Sequence, residues 1–180
     1  MDLSDRDHVT LGLIGDTHGT LDGHLLPRLA DMDVIVHAGD LLDPAELGRL
    51  TPLTGHVVAV RGNNDTPGQW PAGTEALLAN LPDLARILLP GGWLVVEHGH
   101  QVNPARHRHE RLRQRHPEAR AILYGHTHHR VIDTEAEPWV LNPGAAGRLR
   151  AYGGTGFLKL TATASGWHVE AITLSRKTAG

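Results

Sequence analysis

The sequence predicts an α/β protein in which two mixed sheets pack together with helices outside them, and three observations carry that expectation. Five apolar, strand-like runs each end in glycine beside aspartate, asparagine or histidine; strands alternate with helical segments over the first 60 residues; and from Val131 onward the pattern turns to short strands. Continuous apolar runs suit the buried parallel part of such sheets, and alternating strands suit half-buried positions.

In chain order, residues 9–14 are apolar and β-branched enough for a buried strand, which breaks at Gly15 into Asp16-Thr17-His18-Gly19. Residues 21–30 have apolar side chains at helical spacing but are interrupted by Gly23 and Pro27, which predicts a short, imperfect helix. A second strand, 34–38, runs into Gly39-Asp40. Asp43 is placed to cap a helix over 44–50, with Pro44 at its first position. A third strand, 57–60, runs into Gly62-Asn63-Asn64-Asp65, and this alternation implies right-handed parallel crossovers. Residues 66–80 are a connection with Pro, Gly and Trp and room for one helical turn. Strands 84–89 and 93–97 flank Pro90-Gly91-Gly92 as a hairpin, and the second leads into His98-Gly99-His100. Residues 104–115 are rich in charge and predict a solvated helix, which puts His107, His109 and His116 at the surface. A strand at 121–124 runs into Gly125-His126-Thr127-His128, and strands follow at 131–134, 139–142, 156–163 and 167–174 before a loose tail, 175–180.

At 180 residues the chain is expected to be a single domain, 1–180, able to bury about 70% of its unfolded surface. Seventeen basic against twenty acidic residues give a net charge of -3 without a basic block, so stable nucleic-acid binding is not expected. There is no cysteine, which excludes disulfides, thiol nucleophiles and zinc-thiolate sites. The polar, acidic start and the lack of any run of roughly twenty apolar residues predict a cytoplasmic protein without membrane contact. A homo-oligomer is left open.

Fourteen histidines stand out, and position must separate ligands from surface residues. Asp16, His18, Asp40, Asn63, His98, His126 and His128, brought together at strand ends, offer two carboxylates, one amide oxygen and four imidazoles. That set suits manganese first, with iron, zinc or nickel as alternatives. It is too many ligands for one ion with open positions and about the number two ions need when a carboxylate bridges them. Two divalent ions, two aspartates and a hydroxide leave a small positive charge, suited to a phosphate ester. Each block has a plainer reading taken alone, as turn carboxylates, turn asparagines or hydrogen-bonded core histidines.

Gly15-Asp16-Thr17-His18-Gly19, Gly39-Asp40, Gly62-Asn63-Asn64-Asp65, His98-Gly99-His100 and Gly125-His126-Thr127-His128, in this order, resemble the calcineurin-like metallophosphoesterases. The length and the Asn142-Pro143-Gly144 turn are similar to the small bacterial and archaeal phosphodiesterase branch, which also contains the retromer scaffold subunit of eukaryotes. The resemblance runs from about Val9 to Gly144 and implies a four-layer αββα sandwich of two mixed sheets flanked by helices. It implies one metal on Asp16, His18, Asp40 and His128, a second on Asp40, Asn63, His98 and His126 with Asp40 bridging, and in-line attack on phosphorus by a bridging hydroxide.

Around these ligands, Asp65 is expected to orient a ligand histidine through its free ring nitrogen. Many relatives carry histidine where this chain has Asn64, and an amide cannot act as a general acid near neutral pH. His100 is the candidate to supply that proton. Ala145 stands where the branch often has serine, and Arg130 is a candidate for substrate phosphate or, more simply, for solvent. The leading expectation is a metal-dependent phosphodiesterase for a small phosphodiester. The alternatives are a phosphomonoesterase for nucleotides or phosphorylated metabolites, with pocket walls from 66–80 and 100–116, and a non-catalytic scaffold. A nuclease is disfavoured by size and charge.

Overall fold

Ten strands follow one another in chain order: β1 (His8–Ile14), β2 (Val34–His37), β3 (His56–Ala59), β4 (Leu84–Leu89), β5 (Gly92–Glu97), β6 (Ala119–Leu123), β7 (Arg130–Asp133), β8 (Trp139–Pro143), β9 (Gly156–Thr163) and β10 (Trp167–Thr173). They belong to a computed structural model that describes residues 1–148 and 151–174, so the expected loose tail, 175–180, lies outside the described residues. The strands form two five-stranded sheets, ordered β10-β9-β1-β2-β3 and β4-β5-β6-β8-β7. Both sheets are mixed. In the first, β1, β2 and β3 are parallel, β9 runs antiparallel to β1, and β10 runs antiparallel to β9. In the second, β5, β6 and β8 are parallel and β4 and β7 are antiparallel edges.

Strand alternation explains the layering. Leu11, Leu13, Val34 and Val36 from the first sheet meet Leu94, Val96, Ala121 and Leu123 from the second in one fully buried cluster. Each such side chain contributes roughly 1.5–3 kcal/mol by leaving water. The intervening residues point the other way. Ile14 and Ile35 pack under Leu25 and Leu29, and Val95 and Ile122 pack under Leu112. The result is the expected α/β sandwich of two mixed sheets with thin helical cover outside. No helix among the described residues is long and apolar enough to cross a membrane.

The helices are short, and the first is as imperfect as its spacing predicts. Gly23 and Pro27 divide the first into a 3-10 turn, Gly23–Leu25, and one turn of α-helix, α1 (Leu26–Leu29). Asp43 does cap the next by accepting from Ala45 N–H, but Pro44–Arg49 is wound as 3-10 helix. The connection over 66–80 ends in α2 (Glu75–Asn80), and the charged segment forms α3 (Arg108–Arg115) behind a 3-10 turn, Ala105–His107.

The surface position expected for His116 is wrong. Its ring is only 3% exposed, and Nε2 lies 2.9 Å from Glu97 Oε2, while Arg115 reaches both Glu97 oxygens at 3.1 and 3.2 Å. The helix ends at Arg115, which lets the next residue turn inward toward a carboxylate on β5 that needs donors. His109 is half-buried, with Nδ1 3.0 Å from Asp133 Oδ2 and Nε2 3.1 Å from the Tyr124 hydroxyl. His107 is exposed, as expected.

Candidate metal centre

Because β1, β2 and β3 share one direction, and β5 and β6 share another, the residues that follow them collect at strand carboxyl ends. Asp16 and His18 follow β1, Asp40 follows β2, Asn63 to Asp65 follow β3, His98 and His100 follow β5, and His126 and His128 follow β6. All seven proposed ligands are brought together. His18 Nε2 is 3.1 Å from His128 Nε2 and 3.7 Å from Asp40 Oδ2, and His128 Nε2 is 3.8 Å from Asp16 Oδ1. On the other side Asn63 Oδ1 is 3.1 Å from His98 Nε2 and 2.9 Å from His126 Nδ1, and His98 Nε2 is 3.4 Å from Asp40 Oδ1. The two oxygens of Asp40 therefore face two different donor groups.

These spacings have a simple meaning. Donors held about 2.1 Å from one ion at tetrahedral or octahedral angles lie roughly 3.0–3.4 Å from one another. Ligand atoms of Asp16, His18 and His128 lie within 4.8 Å of one another, close to that range, and so do those of Asp16, Asp40 and His98. Asp16 is fully buried, and its Oδ2 has no hydrogen-bond partner among the described residues. Burial, with the neighbouring Asp40 carboxylate, pushes the Asp16 carboxyl up to about 7. A buried carboxylate oxygen without a donor, among imidazole nitrogens at ligand spacing, fits a divalent cation.

The backbone carries a second mark. Asp16, His18, Asp40, His126 and His128 have φ of 52°, 48°, 58°, 69° and 58°, and the only other non-glycine residue with positive φ among the described ones is Leu42. Left-handed backbone costs about 1 kcal/mol or more at each such residue and concentrates where a side chain must be aimed. Gly62 lets the strands approach, since a Cβ there would run into Asp40 N and Oδ1.

The surrounding groups set protonation. His98 Nδ1 donates to Ala38 O at 2.8 Å, which turns the Nε2 lone pair toward Asn63 and Asp40. Burial alone would raise the Asp40 carboxyl, but His98 and two hydrogen bonds from Asn64 hold it well below the usual carboxylate range. Those bonds run from Asn64 N to Oδ1 at 2.9 Å and from Asn64 Nδ2 to Oδ2 at 2.7 Å, so the Asn64 amide braces Asp40. His100 stands with its ring 5.5 Å from that of His98 and 6.3 Å from that of His126, and its buried Nδ1 has no partner among the described residues. Together with Glu97, His98 and Arg115 it lines a cleft of about 140 Å³.

Asp65 takes a different part from the one expected. Its oxygens accept from the backbone N–H of Asp40, Leu41, Leu42 and Gly62 and from the Trp70 indole, rather than from a ligand histidine. A carboxylate surrounded by backbone donors is already satisfied, and the ring of His98 is held by the Ala38 carbonyl. Arg130 serves neither solvent nor substrate, because it donates to Pro143 O, Gly154 O and Thr173 Oγ1 and ties β7 to β10. Asn142, fully buried, donates to Gly125 O at 2.7 Å and pins the loop bearing His126 and His128.

His37 has no motif to mark it, yet it supports the centre from below. Nδ1 accepts from Gly39 N–H at 3.1 Å, so Nε2 carries the proton and donates to Thr17 Oγ1 at 3.1 Å. Complete burial lowers its pKa from 6.5 to about 4. The folded group stays neutral where the unfolded one takes up a proton, so this contribution is whole above pH 6.5 and is lost as pH falls toward 4. His37→Gln is expected to flatten the pH dependence of urea unfolding in that window by up to about 1.4 kcal/mol per pH unit. Unchanged slopes would rule out this role.

The family model of the calcineurin-like phosphoesterase superfamily domain matches residues 9–165. The chain belongs to that superfamily. No curated protein matches it significantly. Solved structures share the fold. A single mutant of Vps29 from Entamoeba histolytica is 20% identical with a TM-score of 0.69, covering 92% of this chain and 99% of that one. A predicted phosphoesterase from Streptococcus pneumoniae is 21% identical with a TM-score of 0.65, covering 93% and 91%. An archaeal phosphodiesterase is 21% identical with a TM-score of 0.61, covering 91% and 99%. In this calcineurin-like phosphoesterase fold the seven donors sit at one rim of the sandwich.

Proposed function

We propose that this protein is a phosphodiesterase that hydrolyses a small phosphodiester with two divalent cations, manganese first among them. The observation that carries the proposal is Asp40, whose Oδ2 faces His18 at 3.7 Å and whose Oδ1 faces His98 at 3.4 Å. Asp16, His18 and His128 with one Asp40 oxygen would hold one cation, and Asn63, His98 and His126 with the other oxygen would hold the second. Cations bound there would supply a hydroxide nucleophile near neutral pH and offset charge on the phosphate oxygens.

The chain's own groups shape the rest. Asn64 keeps Asp40 ionised and fixes its plane, Ala38 fixes the tautomer of His98, and Asn142 fixes the loop of His126 and His128. With the Asn64 amide committed to Asp40, His100 is the side chain we assign to protonate the leaving oxygen.

Purified protein with manganese is expected to hydrolyse bis-p-nitrophenyl phosphate and to lose that activity in chelator. His100→Ala is expected to slow a diester with an alkyl leaving group more than the nitrophenyl one. Hydrolysis of p-nitrophenyl phosphate alone would replace the diesterase with a monoesterase, and hydrolysis of neither would leave the scaffold.

A further inference from the structure

Five arginines fall between residues 106 and 115, and four have a partner. Arg106 donates to His107, Arg111 to Asn103 O, Arg113 to Pro138 O and Asp133, and Arg115 to Glu97. Arg108 has none. It is 8% exposed, its buried Nε lacks a hydrogen-bond partner, and no carboxylate pairs with it among the described residues. The burial follows from the helix, because Arg108 lies four residues before Leu112 on the inward face of α3. Leu112 enters the core beside Tyr124. Arg108 Cζ rests 5.9 Å from the centre of the Tyr124 ring.

Tyr124 places this cation at the metal centre. Its hydroxyl is held by His109 at 3.1 Å, its ring lies against Gly99 in the loop that carries His98 and His100, and it precedes Gly125-His126 in the chain. A guanidinium whose buried Nε has no acceptor is costly, and the loss is recovered when a carboxylate or phosphate meets its fork of donors. The cation that the sequence offered for this purpose, Arg130, is committed to β8 and β10 and the loop before β9.

We infer that Arg108, above the Tyr124 ring, binds an anionic oxygen of the substrate's phosphate. The inference rests on the proposed hydrolysis for its substrate, but not for its test. Arg108 is then a substrate-binding residue, and the 100–116 segment contributes a charge to the pocket as well as a wall.

The test compares wild type, Arg108→Lys and Arg108→Met, each loaded with manganese, with inorganic phosphate as the probe. Calorimetry is expected to show phosphate bound about 10- to 100-fold more weakly by the methionine variant, with the lysine variant between. KM for bis-p-nitrophenyl phosphate should rise alongside, and bound manganese should not change. In phosphate-free buffer the methionine variant should melt no lower than wild type, since an unpartnered buried charge has been removed. Equal phosphate affinity in all three proteins overturns the inference. So does a methionine variant that fails to fold, because the guanidinium would then serve the core. Hydrolysis with one shared phosphate affinity removes only this assignment. Arg108-dependent phosphate binding without hydrolysis of either ester removes only the enzymatic reading.

Discussion

Asp65→Ala is expected to lower the unfolding free energy by about 4 kcal/mol, measured by urea in the presence of chelator. Asp65 is buried and accepts five N–H bonds, from Asp40, Leu41, Leu42, Gly62 and the Trp70 indole. Alanine would strand all five donors. A bond to a charged acceptor is worth roughly 1.5–3 kcal/mol, and water entering the gap recovers part of the sum. Two of the donors belong to Asp40 and Leu42, both with left-handed backbone. The carboxylate thus holds a turn that the chain would otherwise relax. Asp65→Asn, which keeps one good acceptor oxygen, should lose about half as much. A loss below about 1 kcal/mol for the alanine variant would show that these donors find other partners.

Asp40→Ala is expected to cut manganese-dependent turnover by at least about a thousandfold, the several kcal/mol that a cation centre supplies to phosphoryl transfer. It should also reduce the bound metal from two ions toward one or none. The reason is geometric: one Asp40 oxygen lies 3.7 Å from His18 and the other 3.4 Å from His98. Removing it also strands both Asn64 donors. Metal content by plasma mass spectrometry and initial rates on bis-p-nitrophenyl phosphate check the two halves separately. A variant that retains two ions and falls within tenfold of wild type would mean that the carboxylate is structural.

What could be read before any coordinates was whatever depends on near neighbours in the chain. Apolar runs gave the sheets, and glycine beside aspartate or histidine gave the turns from which Asp16, Asp40, His98 and His126 converge. Helix type was less legible, because Pro44–Arg49 satisfies the cap and proline rules for an α-helix and still winds as 3-10. The roles of single polar residues were hidden when the partner lay far along the chain. His116 reads as the end of a charged helix until Glu97 is seen beside it. Asp65 reads as a partner for a histidine until Asp40, Leu41 and Leu42 present their amides. Arg108 has the same immediate surroundings as four other arginines, and only the direction of α3 over Tyr124 separates it from them.

The left-handed backbone at Asp16, His18, Asp40, His126 and His128 sets durability against chemistry along one rim of the protein. Glycine at any of these positions would relax the main chain and forfeit a donor at the same stroke. Selection for heat resistance alone would wear the rim down to glycine and asparagine, leaving a tougher body of the same shape with nothing to grip an ion. Keeping acids and imidazoles there means tolerating a standing strain that only a ligand can repay.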